Sequence, residues 1–224
     1  MRVAVLATGG KDSTLALQKV LDEGYEVKYL VSMIPLREDS WMFHYPNIHL
    51  VNLFSEAVEI PLVKAETSGI KEKEVEDLKR VIEKLDVDAL VSGAIASNYQ
   101  KTRVEKICEE LGLKCLTPLW QKNPIEILWE IVNLKFHVII TGVYALGFSQ
   151  EWLGRKIDEK TIEALKELSK RYGVSVVGEG GEYETLVLDA PFFKKRIKIV
   201  KAEKVWKNQS GYLLVTEAEL ALKA

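Results

Sequence analysis

Thr8-Gly9-Gly10-Lys11-Asp12-Ser13-Thr14 sets several chemically useful groups side by side. The two glycines let the backbone turn its N–H groups towards one point, and Lys11 adds a cation. Asp12 is the odd member. A carboxylate inside an anion cradle repels phosphate unless it holds a Mg²⁺ ion or caps a helix. The residues therefore point to a nucleoside triphosphate with its metal. They are also compatible with a plain tight turn in which Asp12 or Ser13 is an ordinary helix cap.

A second candidate lies far along the chain. Gly178-Glu179-Gly180-Gly181-Glu182-Tyr183-Glu184-Thr185 packs three glycines and three glutamates into eight residues. That glycine density costs backbone entropy, so an ordinary strand would not choose it. Its carboxylates can hold a metal or neutralise a cationic group. With Tyr183 the stretch suits a quaternary ammonium ligand, since an aromatic face beside negative charge attracts such cations. The bland alternative is a solvated turn before the strand Leu186-Val187-Leu188.

The elements that must position these groups alternate. Val3-Ala4-Val5-Leu6-Ala7 reads as a buried strand, and Ser13 to Leu21 carries apolar residues at helical spacing. The first motif is thus a strand–turn–helix junction, where a helix N-terminus favours anions. Further strands are expected at Glu26–Ser32, Ile60–Lys64, Ala89–Ser92 and Lys114–Thr117, with helices at Ile48–Val58, Glu72–Leu85 and Tyr99–Leu111 between them. Such alternation predicts a doubly wound parallel sheet with helices on both faces. Ligands in these sheets sit outside the carboxyl ends of the strands. Both the glycine loop and Ser92-Gly93-Ala94-Ile95-Ala96-Ser97-Asn98 fall at that edge.

After Thr117 the pattern changes. A helix led by Asn123-Pro124, a buried strand at Phe136–Val143, a helix at Glu159–Tyr172 and short strands at Ile197–Val200 and Tyr212–Val215 suggest a smaller C-terminal α+β domain. The expected division is 1–117 for nucleotide binding and 118–224 for substrate recognition.

The loop does not fit the Walker A spacing. It resembles the Ser-Gly-Gly-Lys-Asp-Ser loop of the N-type ATP pyrophosphatases, with Thr8 in place of the first Ser. Five further stretches sharpen this. They are Ser92-Gly93-Ala94-Ile95, Ser97 to Glu105, Pro118-Leu119-Trp120, Trp152-Leu153-Gly154-Arg155, and Glu179 to Thr185. In this order they resemble the diphthine–ammonia ligase (diphthamide synthetase) family, from residue 1 to about Pro191. The resemblance implies a sheet of the adenine nucleotide alpha hydrolase (HUP) type and an ATP-dependent, AMP-forming reaction that joins ammonia to diphthine on translation elongation factor 2.

It also implies roles. Thr8, Gly9, Gly10, Lys11, Asp12 and Ser13 would bind ATP, with Lys11 a mobile cation on the pyrophosphate and Asp12 the Mg²⁺ ligand. Gly93 and Ala94 would let the nucleotide approach. Tyr99, Gln100 and Arg103 would contact the substrate carboxylate or the phosphates, Arg103 being compatible with a surface helix pair as well. Glu179, Gly180, Gly181, Glu182, Tyr183, Glu184 and Thr185 would bind the substrate. Two alternatives remain: another N-type ATP pyrophosphatase, such as a tRNA-modifying enzyme, or a protein that binds ATP without turnover.

Composition narrows the partners. Thirty-one Lys and Arg against 33 Asp and Glu leave a net charge of -2, so no overall pull towards nucleic acid or anionic membrane exists. No run of about 18 apolar residues occurs, and the start lacks a signal-peptide layout, so a cytoplasmic protein is expected. Cys108 and Cys115 fit no zinc spacing and read as buried reduced thiols. Residues 37–45 form a long aromatic stretch that suits either a lid or a packed surface loop. His137 reads as a core residue. Lys194-Lys195-Arg196-Ile197-Lys198 suits a partner or a solvated edge strand. Trp41, Trp152 and Trp206 in loop-like or edge stretches suggest a homo-oligomer.

Overall fold

The structure is a computed structural model describing residues 1–35, 47–67 and 73–223. The expectation for residues 37–45, with Trp41, and the first residue of the helix expected from Glu72 lie outside the described residues. The chain groups into two compact units. Unit 1 holds Met1–Thr8 and Asp12–Trp120, and unit 2 holds Gly9–Lys11 and Gln121–Ala224.

Unit 1 is built on five parallel strands: β1 (Arg2–Leu6), β2 (Glu26–Pro35), β3 (Leu62–Thr67), β4 (Ala89–Val91) and β5 (Lys114–Leu116). Their order is β3-β2-β1-β4-β5, all parallel. Winding runs outward from β1 to one edge, then resumes at β4 and runs to the other. The reversal between β1 and β4 is the point at which such sheets open a ligand crevice. β1 is central, which explains its uninterrupted apolar run: Val3, Ala4 and Val5 are wholly buried.

Helices α1 (Lys11–Asp22), α2 (Val51–Val58), α3 (Lys73–Ile82) and α4 (Asn98–Leu111) fill the crossovers. Ala4, Val31, Ala65 and Leu90 of the sheet share one core cluster with Leu78 and Ile82 of α3 and Val104, Ile107 and Cys108 of α4. Local chemistry sets the ends. The Ser97 hydroxyl accepts the Gln100 N–H at the start of α4, and Gly112, at φ 67°, closes it in the left-handed region.

Proline decides the start of β3. The strand begins at Leu62, after Pro61, and lies at the sheet edge as a proline there requires.

Unit 2 carries α5 (Pro124–Asn133), α6 (Glu159–Tyr172) and four antiparallel strands: β6 (His137–Val143), β7 (Tyr183–Asp189), β8 (Lys195–Lys207) and β9 (Ser210–Leu222). The strand order is β7-β6-β9-β8. Asn123 caps α5 by accepting the Ile125 N–H at 2.9 Å, with Pro124 first in the helix. Asp158 caps α6 through the Thr161 N–H.

The last two strands are much longer than the sequence suggests. Apolar runs mark only their middles. Outside those runs, polar residues occupy both faces of a largely exposed ribbon, and cross-strand pairs such as Lys198 with Glu219 at 2.8 Å accompany the ladder. The basic run at 194–198 leads into β8, the outer strand, which is the edge-strand reading. His137 is exposed at the first position of β6, so the expectation of a core histidine is corrected. Trp152 is buried within its own unit, so it is no interface residue.

Candidate active site

The glycine loop departs from a free phosphate cradle in one respect: its lysine is already held. Gly9–Lys11 belong to unit 2, where they run along the outer edge of β7. The Gly9 carbonyl accepts the Val187 N–H at 2.8 Å, and the Lys11 N–H donates to the Thr185 hydroxyl at 3.1 Å. Gly9 takes a φ of 80°, which a side chain would oppose. The Lys11 ammonium donates to the Val177 carbonyl and lies 5.2 Å from the Tyr183 ring centre. Lys11 is only 3% exposed. The expected mobile cation is therefore a buried and anchored one.

α1 begins at Lys11, so Asp12 and Ser13 lie inside its first turn rather than capping it from outside. An acidic residue there is favourable to the helix dipole. Within unit 1 the Thr8 N–H donates to the Ser13 hydroxyl at 3.3 Å. The carboxylate and hydroxyls thus gather at one helix start. They form a one-carboxylate donor set, which suits Mg²⁺, an ion that takes one or two carboxylates and completes its shell with substrate phosphates and water. Among the described residues no cluster of three or more His, Cys, Asp or Glu forms an all-protein metal site.

Gly93 makes room for backbone. A Cβ there would stand 2.8 Å from both the Asp12 carbonyl carbon and the Ser13 nitrogen. Its missing side chain admits the start of α1. Ala94 follows it, buried, with its N–H donated to the Ser92 hydroxyl at 3.3 Å.

On α4, Tyr99 and Gln100 are exposed. The Arg103 guanidinium stacks on the Tyr99 ring at 3.2 Å, one helical turn away. The same turn holds Lys101 over Trp120 at 4.6 Å. The surface-pair reading of Arg103 and a contact role are compatible here, because the stack orders its planar fork.

The end of the acidic segment 179–185 is divided between two faces. The strand β7 begins at Tyr183, and its alternation sends neighbours to opposite faces. Tyr183 is 3% exposed, donates its hydroxyl to the Val176 carbonyl at 2.7 Å and turns its ring to Lys11. That ring is therefore already occupied by a cation. Glu182 folds back to accept the Ser175 N–H at 3.1 Å, tying its own loop. Gly178 sits so near Tyr183 that a Cβ would come within 2.8 Å of the ring.

Glu184 turns to the face opposite Tyr183. There it stands opposite Gly142 of β6, and the Tyr144 hydroxyl donates to its carboxylate. Gly142 leaves room for this, since a Cβ would meet the Tyr144 hydroxyl at 2.6 Å. Burial pushes the Glu184 carboxyl up to about 7, against the opposing effect of the Tyr144 hydrogen bond.

Aromatic packing extends from Tyr183 through Phe148 to Trp152, with ring centres 5.9 and 5.0 Å apart. Arg155 closes that row, 4.6 Å from the Trp152 ring, with its Nε donated to the Thr161 hydroxyl. Sequence reasoning gave Tyr144 and Val177 no role. Tyr144 could have been found from the Gly-x-Tyr spacing that ends β6; Val177 acts through its carbonyl and left no signal.

Cys108 is buried and Cys115 partly so, both free thiols. Their mutual hydrogen bond and burial push the Cys108 thiol up, whereas the same hydrogen bond lowers Cys115. No described helix is long and apolar enough to cross a membrane.

Comparison with known proteins bears on both units. The diphthamide synthase N-terminal domain family matches residues 1–115, and the diphthamide synthase C-terminal domain family matches residues 123–221. The bovine diphthine–ammonia ligase is 39% identical over 95% of this chain and 88% of its own length. The human diphthine–ammonia ligase is 38% identical over 92% of this chain and 85% of its own. A solved structure titled as a predicted subunit of tRNA methyltransferase from Methanocaldococcus jannaschii covers 85% of this chain and 98% of its own at 18% identity, with a TM-score of 0.48, too slight a likeness to carry an argument. With both domain families matched along almost its whole length, and a glycine loop laid against the Tyr183–Thr185 strand, this chain belongs to the diphthamide synthase family.

Proposed function

We propose that the chain is an ATP-dependent amide ligase. It adenylates the carboxylate of diphthine on translation elongation factor 2 and transfers ammonia to it, giving diphthamide, AMP and pyrophosphate. The observation that carries this reading is the hydrogen bond between the Lys11 N–H and the Thr185 hydroxyl, which joins two stretches that mark the family.

The chemistry explains the need for ATP. A carboxylate does not react with ammonia near neutral pH because its oxygen leaves poorly. Transfer of AMP makes a mixed anhydride with a good leaving group. The displacement at phosphorus requires positive charge and fixed donors around the departing pyrophosphate. In this reading Thr8, Gly9, Gly10 and Ser13 bind the phosphates through N–H and hydroxyl groups. Lys11, fixed by Val177 and Tyr183, supplies charge that need not be reordered during reaction. Asp12 is the residue that would hold Mg²⁺, which when bound neutralises phosphate charge.

Residues 1–117 bind nucleotide and residues 118–224 recognise the substrate. Tyr99, Gln100 and Arg103 take the substrate carboxylate or phosphate, and Glu179 to Thr185 line the substrate side. The protein works in the cytoplasm on a protein partner, without membrane or direct nucleic acid. Exposed Val200, Val205 and Leu222 on the β8–β9 ribbon support self-association.

The test uses the purified full chain, ATP, ammonium and elongation factor 2 carrying diphthine. AMP, pyrophosphate and amide should form together only when all are present. If AMP forms equally without the factor, or not at all, the reading fails.

A further inference from the structure

We propose that Glu184, with Tyr144 beside it, is the place where the ammonium ion binds and gives up its proton. The proposal rests on the ligase reading above and names a residue for the one substrate that reading leaves unplaced.

Gly142, Tyr144, Glu182 and Glu184 share one side of the β6–β7 pair, while Val143, Tyr183 and Thr185 share the other. Lys11 occupies the Tyr183 side, its ammonium held by Val177. Glu182 is on the Glu184 side, where its Oε1 accepts the Ser175 N–H. Among the described residues Glu184 meets the Tyr144 hydroxyl, and no charged group of theirs offsets its burial. A half-buried carboxylate without a cation is costly, and a small cation relieves that cost.

The chemistry of the cation follows from the surroundings. Ammonium carries four N–H donors and can bond the carboxylate while lying against the Tyr144 ring. A trimethylammonium group has no N–H to offer a carboxylate. Tyr144 is 41% exposed, so ions reach the pair from solvent. The position also fits the reaction. Leu186, on the Glu184 face, has a methyl carbon 3.6 Å from where a Gly9 side chain would begin. Glu184 thus stands one strand step from Leu186, the residue beside Gly9.

The step balances. Glu184 carboxylate takes one proton from NH₄⁺, leaving NH₃. The nitrogen lone pair forms the C–N bond at the adenylated carbonyl, and the C–O bond to AMP breaks with its electrons on AMP. The nitrogen then loses one more proton to water, and Glu184 releases its own to solvent past Tyr144. A carboxyl that titrates near 7 suits that exchange at neutral pH.

The test is Glu184→Gln in the full chain, with elongation factor 2 carrying diphthine, ATP and varied ammonium. Isotopic pyrophosphate exchange reads adenylation, and amide formation reads transfer. Amide formation relative to exchange should fall about 100-fold, the scale of a lost general base. Hydroxylamine, an amine that is neutral at this pH, should recover most of the lost rate. Tyr144→Phe keeps the ring and removes the hydroxyl, so the rising limb of the ammonium-dependent pH profile should move to higher pH. Unchanged ammonium dependence in both variants overturns the proposal. So does loss of exchange together with transfer in a folded Glu184→Gln protein. Absence of exchange in the unaltered protein overturns the ligase reading itself, and this proposal with it.

Discussion

The Lys11 ammonium lies 5.2 Å from the centre of the Tyr183 ring and donates to the Val177 carbonyl next to that ring's loop. One residue near the start of the chain and one near its end therefore hold each other. The pair fixes a cation at the head of α1 while keeping it 3% exposed. A desolvated cation over an aromatic face is stabilised by up to about 2 kcal/mol.

Replacing Lys11 with Ala should remove that fixed charge. Pyrophosphate release should drop by about 100-fold or more, the scale for losing one preorganised electrostatic contact. Lys11→Ala releasing pyrophosphate at the parent rate would remove the lysine from the mechanism.

Tyr183→Phe keeps the ring that faces Lys11 and loses only the hydroxyl bonded to Val176. Stability should fall by about 1 kcal/mol, the net worth of one hydrogen bond, read from urea unfolding. Because Val177 follows Val176, ATP binding should weaken slightly as the Lys11 anchor loosens. A calorimetric titration with ATP checks this.

Gly93→Ala places a carbon against backbone atoms of Asp12 and Ser13 that cannot rotate away. The substitution should cost about 1–3 kcal/mol of stability, as overpacking does. It should also raise the ATP dissociation constant, because the helix start carrying Asp12 must shift. An alanine variant with unchanged melting temperature and ATP affinity would show that the close approach does not matter.

Ser97→Ala removes the cap of α4. The loss should be about 0.5–2 kcal/mol, measured by thermal unfolding. The lost cap accepts the Gln100 N–H, so the exposed Tyr99–Gln100 end should fray first. Faster amide exchange at residues 98–101 than in the parent is the expected readout.

The Glu184 carboxyl gives stability a pH dependence with a definite sign. Its folded value, about 7, lies above the unfolded value of 4.5, so the folded state holds the proton more tightly. Stability from this group is present below the unfolded value and is lost as pH rises from there towards 7. The full loss is on the order of 3 kcal/mol. Glu184→Gln should therefore melt higher than the parent at pH 8 and no higher at pH 4. The reverse order would show that the carboxylate is not desolvated.

What the sequence determined by itself was the parallel sheet and its loops. Wholly buried strands such as Val3–Val5 must be apolar on both faces, and the helix ends carry their own signals in Ser97, Gly112, Asn123 and Asp158. These are local demands, so they are written locally. The ribbon formed by β8 and β9 was only half legible, because exposed faces place no demand on residue type. What only the tertiary structure decided was which side chains remain available for chemistry. Lys11 reads as a free cation until Tyr183 and Val177 are brought to it, and the neighbouring glutamates look alike until Glu182 is tied to the Ser175 N–H and Glu184 is set against the Tyr144 hydroxyl. Hydrogen bonds across more than 160 residues carry no local pattern, so pairings such as Lys11 with Val177 and with Thr185 arise only when the chain is folded.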